Sequence, residues 1–165
     1  MSAFTSQVFA GGFESVTIRG LLEDADVARS TFYEHFSNKE DVLRACMNRF
    51  FAIIADCVLN DSTPSELTKV LAHLWEKRRL TDAIFSGQAR VVLARNLIDL
   101  VESRLRTLTA ADAALPARLA ATQIAEGQMA LVESWMRGRG FCTVEQLADG
   151  LHRTSRASAL ALLRH

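Results

Sequence analysis

The chain has 165 residues, is 49% hydrophobic and carries a formal net charge of zero, with nineteen Lys or Arg against nineteen Asp or Glu. That is enough apolar material for a real core, and no overall charge excess points to nucleic acid or to a membrane surface. Residues 1–60 hold five Lys or Arg against eight Asp or Glu, and the remainder holds fourteen against eleven, so the N-terminal part is the acidic one.

Two prolines only, Pro64 and Pro116, with abundant Ala, Leu and Arg, favour an all-α fold. Alternating β-branched runs bounded by tight-turn dipeptides are lacking. The sequence shows no signal peptide and no run of about 18 apolar residues, so a cytoplasmic protein with no membrane partner is expected. Cys46, Cys57 and Cys142 are odd in number and far apart. They read as small apolar residues in a reducing compartment, with no metal and no disulfide framework. With no GxSxG, no HExxH, no phosphate-cradling glycine loop and no paired carboxylates on one helical face, catalytic residues and cofactors are not expected.

The first element, MSAFTSQVFAGGF, reads as a short helix with Phe4, Val8 and Phe9 on one side, stopped at Gly11-Gly12. Phe13 returns the chain to the core. Thr17 is the N-cap of a second helix whose apolar stripe is Ile18, Leu21, Leu22 and Ala25. Asp26 sits at the turn, where Asp tolerates the left-handed conformation better than most residues, and Val27 fills the angle before the next helix. That third helix, Ala28 to His35, turns Phe32 and Phe36 inward and leaves Arg29, Ser30, Thr31 and Tyr33 outward. Ser37-Asn38-Lys39-Glu40 is a capping box for a long helix reaching Asn60, with Val42, Leu43, Cys46, Met47, Phe50, Ile53, Ile54 and Cys57 apolar. Two short helices across a tight turn form the outline of a helix-turn-helix.

Thr63-Pro64-Ser65-Glu66 starts a further helix with Leu67, Val70, Leu71, Leu74 and Trp75, closed by Lys77-Arg78-Arg79 at its C-terminus. An apolar helix from Gln88 to Leu108 follows, then one from Pro116 to Arg137 rich in small residues and ended by Gly138 and Gly140. Thr143-Val144-Glu145-Gln146 caps the last, reaching Leu163. Small residues permit close helix approach, so a face carrying Ala120, Ile124, Gly127, Leu131 and Trp135 is a candidate dimer surface. Isolated polar and aromatic residues among apolar ones, His73, Trp75, Phe85, Arg90 and Glu133, suggest a small hydrophobic effector, with Trp75, Phe85 and Arg90 as its candidate contacts.

Gly12-Phe13, then Thr17-Ile18-Arg19, then VARSTFYEHFSNKEDVL over residues 27–43, closely resemble the DNA-binding segment of the TetR family of bacterial transcriptional regulators. Asp26 stands where the pattern has glycine, and Ala28 where it has serine or threonine. The resemblance implies an N-terminal three-helix helix-turn-helix domain over residues 1–45. It further implies a C-terminal helical ligand-binding and dimerisation domain over residues 46–165, pairing through its last two long helices. Carried onto matching positions, Arg29, Ser30 and Thr31 approach base edges, while Tyr33, His35, Lys39, Thr17 and Arg19 hold phosphates. The function implied is a ligand-responsive regulator, most simply a repressor, binding a near-palindromic site on double-stranded DNA as a homodimer. The alternative is a helical interaction or ligand-sensing module that has lost DNA binding.

Overall fold

The computed structural model describes residues 2–59, 65–78, 83–108 and 115–163. Its main helices are α1 (Ser2–Ser15), α2 (Ile18–Ala25), α3 (Arg29–His35), α4 (Lys39–Asp56), α5 (Ser65–Glu76), α6 (Gly87–Leu108), α7 (Ala117–Met136) and α8 (Val144–Leu163). No strand occurs among the described residues, so the all-α expectation holds.

Local chemistry sets most of the boundaries. Gly12 interrupts α1 at φ 77°, ψ 169°, a conformation that suits glycine, and turns Phe13 into the core. Thr17 is extended, and its Oγ1 accepts the Gly20 N–H at 3.1 Å. α2 closes in a Schellman arrangement: Asp26 is left-handed at φ 50°, ψ 48°, its N–H reaches Glu23 O, and the Val27 N–H reaches Leu22 O at 3.1 Å. Ala28 begins α3 with no side-chain cap. At α8, Thr143 and Gln146 cap each other reciprocally, at 2.9 and 3.2 Å.

Three local expectations need correction. The capping box of α4 sits one residue later than Ser37–Glu40. Asn38 is the extended N-cap and accepts the Asp41 N–H at 2.9 Å, while Asp41 accepts the Ser37 N–H at 2.9 Å. Asn caps as well as Ser, so chain direction decided between neighbours. Phe9 does not join Phe4 and Val8 in the core; it is 68% exposed. Val27 and Ala25 are likewise on the surface, and Leu21 carries the buried side of α2. The expected start of α5 at Thr63-Pro64, the end of α4 at Asn60, and Arg79 all lie outside the described residues.

The core is continuous from the α1 end, through Phe4, Val8 and Phe13, to Leu151 and Ala159 in α8. α4 is its spine, running unbroken through positions 45 and 46, the expected domain join. Leu43, Phe51 and Ile54 along it are essentially solvent-free. Its far end is held by the body. Gln128 of α7 donates to Ile54 O at 3.0 Å, Arg104 of α6 pairs with Asp56 at 2.9 Å, and Arg156 of α8 donates to Val58 O at 2.9 Å. The bonds from Gln128 and Arg156 give donors to carbonyls at the end of the helix. α5 is joined to α7 by Trp75 and Trp135, whose ring centroids are 4.5 Å apart.

Candidate nucleic-acid interface

α3 is only seven residues long and is anchored by Phe32, which is 8% exposed and packs at 5.4–5.5 Å from the Tyr33 and Phe36 rings. With that one side inward, Arg29, Ser30, Thr31, Tyr33 and His35 are all on the surface. Arg29 lies over the Tyr33 ring at 5.5 Å, one helical turn away, and has no carboxylate partner among the described residues. A planar guanidinium held by an aromatic and free of an acid can offer its fork of donors to a base edge or a phosphate.

The flanking cations are engaged differently. Arg19 pairs with Glu23 at 2.8 Å on an open surface, where such pairs contribute little and exchange readily. Thr17 uses its hydroxyl oxygen as the α2 cap. Lys39 is half-buried, and its amine donates to Phe13 O and Glu14 O at 3.1 Å each while standing 4.7 Å from the Phe13 ring centroid. It thus ties the start of α4 to the end of α1. The same Glu14 accepts the Gln88 N–H at 3.2 Å, on the first turn of α6. The α1–α3 unit is thereby joined to the helical body by two polar bonds meeting at one residue. Nothing in the sequence pattern pointed to Glu14.

The residues expected to meet an effector do not converge. Phe85 is 1% exposed, with its ring edge-on to Phe51. Arg90 is bound by Glu126 at 2.7 Å and Glu133 at 2.9 Å, and the hydrogen bond to Glu126, with Glu133's charge beside it, raises the guanidinium pKa. Arg137 adds a bond to Phe85 O at 3.2 Å. Trp75 is spent on Trp135. None of Trp75, Phe85 or Arg90 lines the large cleft of about 1220 Å³, which lies between α1, α4 and α5. The expected dimer face also divides. Ala120, Ile124 and Trp135 are buried within the protomer, and Gly127 and Leu131 remain outside. The buried side of α7 packs chiefly on α6 and α8, and the stripe drawn from small residues straddles its edge.

The three cysteines form no disulfide with one another; Cys57 is buried, Cys46 half-buried and Cys142 exposed. The described residues include no group of His, Cys, Asp and Glu arranged to hold a metal, and no helix long and apolar enough to cross a membrane.

Two short helices across a left-handed turn, an outward second helix and a helical body define a helix-turn-helix protein. The family model for bacterial regulatory proteins of the tetR family matches residues 5–46. An uncharacterized HTH-type transcriptional regulator of Bacillus subtilis (strain 168), YxbF, is 32% identical over 56 residues; the match spans 34% of this chain and 15% of that protein. The whole fold is similar to that of a TetR transcriptional regulator from Streptococcus agalactiae 2603V. There the TM-score is 0.54 at 21% identity, covering 93% of this chain and 89% of the other. It is similar too to the dihydroxyacetone kinase operon activator DhaS, with a TM-score of 0.50 at 20% identity, covering 99% and 95%. Residues 5–46 thus match the tetR-family segment, and the fold that carries them is similar to these two solved structures.

Proposed function

We propose that the protein binds double-stranded DNA as a homodimer at a near-palindromic site and releases it in response to a small molecule, acting as a repressor. The observation that carries this reading is the outward face of α3. Arg29, Ser30, Thr31 and Tyr33 are exposed together on a helix fixed by Phe32. Arg29, Ser30 and Thr31 read base edges, and Tyr33, His35, Thr17 and Arg19 hold phosphates. Lys39 joins them where DNA competes for its amine.

The homodimer of this proposal pairs through the outer sides of α7 and α8. Leu119 at 57% and Leu131 at 38% exposure flank Gly127 and Ala130 on α7. Gly150, Thr154 and Ala157 form a shallow groove on α8. Asp149 and Arg153, paired at 3.4 Å, border that groove, so the face offers exposed leucines beside small and charged residues to a second copy of itself. Two recognition helices then lie about one DNA turn apart.

A ligand acts by binding one spacing of these helices more tightly than the other. The test is selection from fragmented genomic DNA by the purified protein, with mass in solution measured alongside. Enrichment of a near-palindromic sequence by a dimer supports the reading. A folded dimer that enriches nothing favours a helical interaction module, the alternative to which the engaged Arg19 and Lys39 lend some weight.

A further inference from the structure

We propose that the cleft between α1, α4 and α5 is a binding site for an amphipathic organic anion, a single-chain carboxylate of the fatty-acid class. For its regulatory consequence this rests on the effector-responsive reading above. The floor of the cleft is apolar: Phe4 and Val8 from α1, Leu43 and Met47 from α4, and Leu74 from α5. Phe9 stands at its edge, 68% exposed, the most exposed large apolar side chain of the helices among the described residues. Phe9 extends the apolar floor to the edge of the cleft.

The rim identifies the occupant. Arg49, Lys69, Lys77 and Arg78 line the cleft against one carboxylate, Glu76. This excess stands within a chain of zero net charge. Arg78 is committed to the Trp75 ring at 4.9 Å and its carbonyl at 3.2 Å. Arg49 on α4 and Lys69 on α5 are exposed and form no ion pair among the described residues. Two open cations on different walls above an apolar trough match a molecule with a carboxylate at one end and a hydrocarbon chain at the other. A neutral hydrocarbon leaves the cations unused, and a small anion leaves the floor wet.

The position also matters. One wall is α1, part of the helix-turn-helix unit, and another is α5, part of the body. A chain lying between them contacts both, so its affinity depends on how the two are placed.

The test is calorimetric titration of the full chain with laurate below its micelle concentration, with dodecanol as the neutral chain of equal length. Laurate is expected to bind at least about tenfold more tightly than dodecanol. Arg49→Ala/Lys69→Ala and Lys69→Glu, both surface changes checked for unchanged circular dichroism, should abolish that preference. Equal affinity for the two compounds, a preference that survives in both variants, or no laurate binding up to its solubility overturns the proposal. DNA binding measured on the same samples separates the two readings. DNA binding without laurate binding removes the site and leaves the regulator, whereas laurate binding without DNA binding removes the regulator and leaves the site.

Discussion

The Lys39 amine donates to the Glu14 carbonyl at 3.1 Å, while the Glu14 carboxylate accepts the Gln88 N–H at 3.2 Å. One acidic residue therefore links the start of α4, the end of α1 and the first turn of α6. Lys39 has a structural task before any DNA arrives. Lys39→Ala should lower stability by about 1–2 kcal/mol, since hydrogen bonds to charged groups contribute about 1.5–3 kcal/mol and partial exposure reduces that. Urea melts check it. An unchanged midpoint would show that the bond to α1 contributes nothing. Lost DNA binding in this variant is therefore ambiguous, and Tyr33→Ala and Arg29→Ala are the cleaner probes.

The turn between α2 and α3 carries a deficit that one substitution should repair. Ala28 is extended at φ −64°, ψ 144°, the geometry of an N-cap, yet supplies no side-chain acceptor. Ala28→Ser should stabilise the protein by about 1 kcal/mol, the usual value of such a cap. Thermal unfolding of the two proteins measures it, and a lowered Tm would mean that the α3 start is not as described.

Gln128 is 3% exposed, and its Nε2 donates to both Ile54 O and Ser155 Oγ, at 3.0 and 2.8 Å. It fastens the end of α4 to α7 and α8. Gln128→Leu keeps the bulk but removes both bonds, each contributing about 0.5–1.5 kcal/mol net, while Ile54 O keeps the Cys57 N–H at 3.2 Å. Chemical denaturation should show that loss. A variant as stable as the parent would show that the two Gln128 bonds contribute nothing net.

Thiol reactivity should follow burial. Cys57 is solvent-free, and burial, with the neighbouring charge of Asp56, pushes its thiol up to about 12, so almost no thiolate exists at neutral pH. Burial raises Cys46 as well, and Cys142 is exposed. Alkylation of the native protein followed by mass spectrometry should label Cys142 first, Cys46 slowly and Cys57 only after unfolding. Early labelling of Cys57 would contradict its place in the core.

Most helices were legible because their signals are local: Thr17 and Thr143 as caps, Gly12 as a stop, and Phe32 spaced to anchor an otherwise polar helix. What failed depends on which faces meet. Periodicity places Val8 and Phe9 side by side but cannot say that α1 turns only Val8 inward. The stripe from Ala120 to Trp135 shares one side of α7, yet the position of α6 and α8 decides where that side enters the core. Phe85 reads equally well as pocket or core until Phe51, which the sequence pattern passed over, is found against it. The cleft was invisible for the same reason, since its walls come from α1, α4 and α5, which are separated in sequence.

The measurement that bears most directly on the central claim is fluorescence anisotropy with duplex DNA from upstream of the protein's own gene. It should be run at two salt concentrations for the parent, Arg29→Ala and Tyr33→Ala. The account predicts binding that weakens steeply with salt. Removal of Arg29 should cost about 1–3 kcal/mol, a loss of roughly five- to 150-fold, if it holds a base in bidentate fashion. Removal of Tyr33 should weaken binding across all sequences. Binding of equal strength in all three proteins would contradict the assignment of α3 as the reading helix.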